Sequence, residues 1–357
     1  MGVQVTARDY SLIGLDAKRA EERGLADAQW YASAIPRARL KELMQRTDQP
    51  AIRDTIIWFG LIGITGTLGW LAWGHGWAVL PFIAYGALYG GSSDSRWHEC
   101  GHRTAFKTTW MNDALYEIAS FMIMRESVIW RWSHTRHHTD TIIVGRDPEI
   151  AAPRPPSVAR FLLNLVGIPN GVRYFHAVTL HCFGRLTAEE ATYIPEMERP
   201  KVYRNARIYA AIYLAVIAAA GVTRSILPLL YVGLPSFYGA WLMVLYGLTQ
   251  HAGLAEDVLD HRLNCRTVYF NRLNRFLYWE MNFHLEHHMF PMVPYHALGK
   301  LHEELKADMP APYPSIWAAY REILPAMWRQ RKDPTYFVER QLPPTAKPYR
   351  PEEPAHG

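Results

Sequence analysis

Nine histidines are the residues of this sequence with the greatest capacity for chemistry. They are His98, His102, His134, His137, His138, His251, His284, His287 and His288. Eight of them fall in three short boxes, HECGH, HTRHH and HLEHH, where they recur three or four residues apart. On a helix, that spacing places side chains on one face. Each box can therefore direct two or three imidazoles towards a common point.

The number of histidines limits the kind of metal centre that they could form. Imidazole binds iron, copper and zinc, so geometry and ligand count must distinguish these metals. A structural zinc ion takes four ligands in a tetrahedron. Eight or nine convergent histidines exceed that number and suit two metal ions that keep open positions for oxygen and substrate. The sequence therefore predicts a centre with two metals.

Carboxylates near the boxes are candidates to accept hydrogen bonds from imidazole N–H groups and so to orient the rings. They are Asp94, Asp140, Asp147, Asp257, Glu280 and Glu286. Solvated surface charge would explain the same residues equally well. For the histidines outside the nine we expect no metal role, and surface or capping positions for three of them. Those outside the nine are His75, His176, His181, His261, His296, His302 and His356.

Four apolar stretches must position the boxes, at about 55–73, 77–93, 206–222 and 226–248. The first has close to the ~20 residues that a bilayer requires. Short turns join the stretches into two hairpins, so each hairpin returns the chain to its starting side. The second hairpin helices lead to box one and to His251, which places both on the side of the N-terminus. We expect an all-helical membrane protein with four transmembrane helices.

Charge predicts the orientation of these helices. Lys and Arg are plentiful in 18–53 and 96–146, whereas the two outer turns carry only Arg224. Because positive charge favours the cytoplasmic side, we expect the histidines and both termini in the cytoplasm, below a bacterial inner membrane. The apolar segment 161–183 is interrupted by Pro169 and predicts an interfacial pair of short helices. The expected units are a lead-in (1–53), a membrane domain (54–310) and a cytoplasmic C-terminal segment with a Pro-rich tail (311–357).

Composition excludes several classes of protein. The net charge of +5 is diffuse and, without a nucleic-acid motif, gives no reason to expect DNA or RNA binding. The three cysteines, Cys100, Cys182 and Cys265, are too few and too widely spaced for a disulfide framework or an iron–sulfur cluster.

Three other metal-binding functions fit the histidines less well. Box one alone matches HExxH, the zinc-protease helix motif with Glu99 as general base, but a protease leaves boxes two and three unexplained. A carboxylate-bridged di-iron bundle needs two Glu-x-x-His pairs, and only Glu99-x-x-His102 stands in a suitable setting. A metal transporter would place its ligands within the membrane spans, whereas these lie beyond them.

The pattern HxxxH, HxxHH and HxxHH, followed by Phe290-Pro-Met-Val-Pro294, closely resembles the membrane fatty acid desaturase and hydroxylase superfamily. The resemblance covers roughly 55–310. It implies four membrane helices capped by a cytoplasmic helical dome with two irons, with the eight box histidines as ligands and His251 as the ninth. It also implies O₂-dependent oxidation of an unactivated C–H bond, by fatty acyl desaturation or hydroxylation. Some desaturases have an asparagine four residues before the ninth histidine, where this chain has Gly247.

Electrons must then come from another protein. The chain has no haem-binding His-Pro-Gly-Gly segment and no GxGxxG in a dinucleotide-binding setting. A ferredoxin or rubredoxin with an NAD(P)H-dependent reductase is expected. Basic residues in 103–107, 131–136 and 321–332 are candidates to bind an acidic carrier.

A second substrate class is open within the same chemistry. The segments Thr249–Asn264 and Trp328–Tyr336 are similar to a bacterial branch that includes rhizopine-catabolism oxygenases. Members of that branch resemble demethylases of small methylated polar compounds, in which hydroxylation of a methyl carbon releases formaldehyde. The segment 141–200 could enclose a polar pocket or an acyl tunnel. The membrane lipid and the small polar molecule therefore both stand as candidate substrates.

Overall fold

The computed structural model describes residues 8–348. This part of the chain consists of helices and loops. Its β-structure is limited to two isolated bridges, Thr267–Phe283 and Val268–Tyr313. His356 and the end of the predicted Pro-rich tail, from 349 onward, lie outside the described residues. The expected all-helical class is confirmed for residues 8–348.

The first half of the described chain contains nine α-helices. They are α1 (Leu15–Glu22), α2 (Arg37–Leu43), α3 (Gln49–Leu71), α4 (Val79–Gly86), α5 (Ser93–Gly101), α6 (Thr109–Met122), α7 (Ser127–Thr139), α8 (Val158–Leu165) and α9 (Ile168–Cys182). A π-helical turn, Ala87–Gly91, joins α4 to α5. This continuous path carries the chain from the second apolar stretch into box one, as the sequence predicted.

The second half contains nine more α-helices, most of them short. They are α10 (Arg199–Thr223), α11 (Leu227–Tyr231), α12 (Pro235–Tyr238), α13 (Ala240–His251), α14 (His261–Asn264), α15 (Arg272–Leu277), α16 (His284–Met289), α17 (Tyr295–Leu305) and α18 (Ile316–Gln330). Three 3₁₀ turns, Gly76–Ala78, Glu190–Thr192 and Glu196–Glu198, complete the helical elements.

Two described helices, α3 and α10, are long and apolar enough to cross a membrane. Both begin before the stretches predicted from hydropathy, and each carries a proline in its first turn. Proline is tolerated there, since the amide of the first turn has no partner within the helix. Side chains such as Ile56, Leu214 and Val222 are exposed on these helices. Lipid rather than water would suit such surfaces.

The fourth apolar stretch differs from the prediction. A single helix was expected over 226–248, whereas the structure has α11, α12 and α13. The first break contains Gly233, whose φ of +94° is a left-handed conformation that favours glycine. Pro235 follows and begins α12, since proline cannot continue a preceding helix without loss of a hydrogen bond. Prolines and glycine therefore divide an apolar run that hydropathy alone joins.

The segment 161–183 forms the expected pair of short helices, α8 and α9, joined at the left-handed Gly167. The Ser157 hydroxyl accepts a hydrogen bond from the Arg160 amide and caps α8. Apolar side chains on the pair, including Leu162 and Val172, are exposed. This surface is characteristic of helices that lie in a membrane interface.

The histidine boxes lie within the main core of the molecule. Trp97, Tyr116, Trp279 and Leu298 are among its fully buried side chains. They surround α5, α7 and α16 with packed aromatic and aliphatic groups. The core therefore fixes the three helices that carry the boxes.

Candidate metal centre

Each histidine box lies on a helix, as its spacing predicted. Box one occupies α5 and the residue that ends it, box two lies on α7, and box three lies on α16. His251 is the last residue of α13. Four separate helices thus bring their histidines to one buried place.

The nine imidazoles form two groups, and within each group the ligand atoms lie within 4.8 Å of one another. One group contains His98, His102, His134, His138 and His287; the other contains His137, His251, His284 and His288. We call these the five-histidine group and the four-histidine group. Boxes two and three contribute to both, because adjacent residues on a helix point about 100° apart. The HxxHH spacing therefore lets one helix serve two metal positions.

The ring nitrogens within each group face one another. The Nε2 atoms of His98 and His287 are 2.7 Å apart, and those of His102 and His134 are 3.0 Å apart. The Nε2 of His284 lies 2.9 Å from the Nε2 atoms of both His251 and His288. Two nitrogens about 2.1 Å from one metal ion, at right angles to each other, are roughly 3 Å apart. These separations fit nitrogens that converge on a metal ion.

Several ring nitrogens have no other partner. Both nitrogens of His138 are buried without a hydrogen bond, as are the Nδ1 atoms of His284 and His287. A buried polar atom that makes no hydrogen bond is costly, so each such atom requires an explanation. For His138, a bound metal ion supplies one. The donor set of the two groups therefore fits two metal ions.

Burial favours the neutral form of most of these imidazoles, which is the form that binds metal. Burial first, and then the neighbouring imidazoles, hold the pKa of most of them well below the ordinary value of histidine. The histidines affected in this way are His98, His102, His138, His251, His284, His287 and His288.

Carboxylates and a carbonyl hold several of the rings through their outer nitrogens. Asp147 Oδ2 lies 2.8 Å from His137 Nδ1, and Glu149 Oε2 lies 3.1 Å from His134 Nδ1. The Nδ1 of His251 lies 2.8 Å from the carbonyl oxygen of Asn264. Such partners fix the tautomer and the ring orientation of a metal-binding histidine.

Of the six carboxylates suggested by the sequence, Asp147 contacts a box histidine and the others pair elsewhere. Asp94, Asp140, Asp257 and Glu280 each form an ion pair with an arginine, at 2.6, 3.1, 3.0 and 2.7 Å. Glu286 accepts hydrogen bonds from Thr267 and His302. The arginines that pair with Asp94 and Asp257 come from distant parts of the chain, whereas those that pair with Asp140 and Glu280 lie five or six residues away.

Sequence reasoning missed Glu149, which stands two residues after Asp147. Its only sequence signal is the Asp-Pro-Glu run that follows box two. In the loop after α7 this run turns back on the helix, and the Glu149 amide donates to Asp147 Oδ1 at 2.7 Å. The loop thereby presents both carboxylates to α7.

Two histidines expected at surface or capping positions are instead buried. His302 Nδ1 lies 2.5 Å from Glu286 Oε1, and its Nε2 lies 2.9 Å from the Tyr269 hydroxyl. His261 stacks on Trp30 with 4.2 Å between ring centroids, and it forms a third possible ligand group with Cys265 and His288. Hydrogen bonding to α16 explains the burial of His302, and stacking explains that of His261.

His181, also expected to have no special role, is fully buried between two carboxylates. Its Nδ1 lies 2.6 Å from Glu126 Oε1 and its Nε2 lies 3.0 Å from Glu190 Oε2. Burial opposes a charge on the ring, but the two carboxylates outweigh it and raise the pKa of His181 to about 9. Since Glu126 directly precedes α7, this contact fixes the start of the helix that carries box two.

We expect the His181 contact to make stability depend on pH. Because its folded pKa is raised, its contribution is complete below pH 6.5, the ordinary pKa, and is lost as pH rises through about 9. Thermal unfolding of the detergent-purified protein should therefore show a fall in Tm across this range. His181→Gln should lower Tm at pH 6.5 and flatten the dependence. An unaltered pH profile in this variant would contradict the assignment.

A cavity of about 350 Å³ lies beside the histidines. His98, His134 and His284 line one part of it, and residues of α8, α9, α13 and the loop 148–157 line much of the rest. Gly247, the residue that replaces the asparagine of some desaturases, also lines this cavity, and nothing lies within 4 Å of where its Cβ would be. The cavity gives a substrate direct access to both groups of histidines.

The paired carboxylates lead to a specific prediction. Asp147→Asn should weaken metal retention by about 10–100-fold, the usual cost of losing an orienting partner. Glu149→Gln should have a smaller effect of the same sign, since its contact with His134 is longer. Metal remaining after graded chelator treatment would measure both effects. Asp113→Asn provides the control, because Asp113 pairs with Arg103 on the surface. Retention equal to that of the control would contradict the orienting role.

Comparison with known proteins places this architecture among the desaturases. The family model for fatty acid desaturases matches residues 71–320, which include all nine histidines. The Delta(12)-acyl-lipid-desaturase of Punica granatum is 25% identical over 302 residues, or 76% of this chain and 74% of its own length. The endoplasmic reticulum omega-6 fatty acid desaturase, isozyme 1, of Glycine max is 26% identical over 64% of this chain and 67% of its own length. The acyl-lipid (9+3)-(E)-desaturase of Dimorphotheca sinuata is 26% identical over 73% of this chain and 75% of its own length.

Proposed function

Because this chain belongs to the fatty acid desaturase family, and is therefore an oxidoreductase, we propose that it oxidises an unactivated C–H bond of a fatty acyl chain. The product is an alkene or an alcohol. The observation that supports this most strongly is the convergence of nine histidines into two buried groups beside one cavity. Both products need the same metal centre, and the position of the acyl chain decides between them.

The metal ions that we propose are two irons, one in the five-histidine group and one in the four-histidine group. When bound, they supply O₂-dependent removal of hydrogen from carbon, with electrons from an external donor. Burial favours the neutral form of most of the imidazoles, and Asp147 and Glu149 orient His137 and His134. The cavity positions the acyl chain against the rings.

The protein is associated with a membrane, and we propose that it crosses the bacterial inner membrane four times, as two hairpins. In this arrangement α3 and the segment 77–93 form the first hairpin, and α10 and the segment 226–248 form the second. The histidines then lie in a cytoplasmic helical dome, on the side favoured by the distribution of Lys and Arg. The exposed apolar surfaces of α3 and α10 support contact with lipid.

We propose the division into a lead-in (1–53), a membrane domain (54–310) and a C-terminal segment (311–357). Contacts of the described lead-in support a cytoplasmic position beside the dome. Arg23 pairs with Asp257 at 3.0 Å, and the Tyr31 hydroxyl donates to Asp308 at 2.6 Å. The lead-in thus covers the loops that support the four-histidine group.

A ferredoxin or rubredoxin with an NAD(P)H-dependent reductase is the electron source that we propose, bound at the basic residues of 321–332. The other basic segments are less suitable, since Arg103 and Arg131 pair with Asp113 and Arg136 pairs with Asp140. Arg321 and Lys332 form no ion pair within the described residues. Arg321→Glu with Lys332→Glu should slow turnover with the natural donor and leave metal content intact. Unchanged turnover would contradict this docking site.

The structure gives little support to the zinc-protease alternative. Its general base would be Glu99, but this carboxylate accepts a hydrogen bond from the Tyr295 amide at 2.9 Å and is fully buried in the core. His98 and His102 share their group with three other histidines. The relatives are named as desaturases, so we propose neither a protease nor a demethylase.

The test of the proposed function is a product assay in membranes that contain the protein. Ferredoxin, reductase, NADH and O₂ would be supplied, with the His287→Ala variant as the inactive control. We expect a new alkene or hydroxyl group in the acyl chains of the lipids, absent from the control. Formaldehyde from an added methylated polar compound, with acyl chains unchanged, would instead favour demethylation and overturn the proposal.

A further inference from the structure

Four arginines line the cavity beside the histidines, and two of them are neutralised within it. Arg125 pairs with Asp94 at 2.6 Å, and its guanidinium lies 3.9 Å from the ring centroid of Trp97. Arg154, which is buried, pairs with Glu256 at 3.2 Å. These two arginines therefore have carboxylate partners and contribute little net charge to the cavity.

The other two arginines, Arg160 on α8 and Arg173 on α9, have no such partner. Within residues 8–348 neither guanidinium forms an ion pair or a side-chain hydrogen bond, although both line the cavity. Glu189 is the carboxylate whose charge acts most on Arg173. It already accepts a hydrogen bond from the Ser11 hydroxyl at 2.7 Å. Both residues are exposed, so a ligand in the cavity can reach their guanidinium groups. The wall formed by α8 and α9 thus carries uncompensated positive charge.

This wall also has the character of a membrane interface. Leu162, Val172 and Phe175 are exposed on the same two helices, at 56%, 67% and 40% of the full residue surface. A helix pair with exposed apolar side chains and arginines lies at the level of lipid head groups, where anionic groups are available. Apolar side chains, including Phe161, Met243 and Leu248, line the same cavity, between polar groups such as Asn164 and Gln250. The cavity therefore combines a place for an anion with apolar surface for an acyl chain.

We propose that Arg160 and Arg173 bind the anionic group of the acyl substrate, either the carboxylate of a fatty acid or the phosphate of a phospholipid. Guanidinium groups form charge-assisted, often bidentate hydrogen bonds with both groups. The acyl chain then extends from the arginines through the cavity to the histidines. The protein would therefore bind anionic acyl compounds in preference to neutral ones. This inference rests on the proposed function, since it assumes an acyl substrate.

Binding can test this without turnover. Radiolabelled oleate and radiolabelled oleyl alcohol would be bound to the purified full chain in a non-ionic detergent, with dioleoylphosphatidylglycerol as competitor. The variant is Arg160→Gln with Arg173→Gln. Arg185→Gln is the matched control, because Arg185 is exposed, lies just beyond α9, and is outside the cavity. Metal content of each variant would show that the histidine groups are intact.

We expect the wild-type protein to bind oleate at least about ten-fold more tightly than oleyl alcohol. The double variant should lose about that factor for oleate alone, and Arg185→Gln should lose nothing. Competition by dioleoylphosphatidylglycerol would identify the phosphate as a source of the anion; its failure, with oleate still bound tightly, would identify the carboxylate. Equal affinity of the double variant and the wild type for oleate would overturn the inference alone. If neither oleate nor oleyl alcohol bound, the acyl substrate of the proposed function would fail as well.

Discussion

His287→Ala is expected to abolish turnover and to remove metal from the five-histidine group. His287 is fully buried, and its Nε2 faces that of His98 at 2.7 Å. Loss of a ligand itself should exceed the about 10–100-fold cost of losing a partner that merely orients one. Metal content and product formation, measured on the same membrane preparation, would check this result. Both should fall together, since the histidine acts through the metal.

The control for this variant is His176→Ala. His176 is exposed on α9 and belongs to neither histidine group, so its removal should leave metal content and turnover unchanged. A His287→Ala protein that folds, keeps its full metal content and retains wild-type turnover would contradict the assignment of the five-histidine group.

Gly239→Ala is expected to cause the largest loss of stability among simple substitutions. A Cβ at this position would lie 1.8 Å from the carbonyl oxygen of Gly86 and 2.8 Å from that of Pro235. These are backbone atoms, so no change of side-chain rotamer can relieve the overlap. The segments 77–93 and 226–248 would have to separate, at a cost of about 3 kcal/mol or more. Thermal unfolding in detergent, followed by size-exclusion chromatography, would measure the effect.

A glycine in an open position gives the matched control. Nothing lies within 4 Å of a Cβ built on Gly63 of α3, and alanine is the better helix former. Gly63→Ala should therefore leave the protein as stable as the wild type or slightly more stable. Equal stability of the Gly239→Ala and Gly63→Ala proteins would show that the two segments do not approach each other as closely as described.

Helix periodicity explains why the positions of the histidines could be predicted from the sequence. The HxxxH and HxxHH spacings are local, and they place the side chains on one or two helix faces whatever the rest of the chain does. The prediction that all three boxes and His251 meet also depended on the length of the apolar stretches. The division of the nine into groups of five and four is a property of how α5, α7, α13 and α16 pack, and no local pattern contains it.

Contacts between distant loops could not be predicted in the same way. Glu149 reaches His134 because the loop after α7 folds back, whereas Asp94 is taken up by Arg125. The spacing of five residues between His176 and His181 gives no shared helix face, and His302 was expected at a surface or capping position, yet His181 and His302 are both buried against glutamates. The breaks near Gly233 and Pro235 have a sequence signal in these two residues, which a prediction from continuous hydropathy does not use.

The most direct test of the account is the metal content of the purified full chain. The two groups of histidines predict two irons per chain, and His251→Ala and His287→Ala, one from each group, should each reduce that number. Metal analysis of the wild type and both variants, purified in parallel, would decide the matter. A wild-type protein that holds a single zinc ion, with iron absent, would contradict the account and return the HExxH motif of box one to consideration.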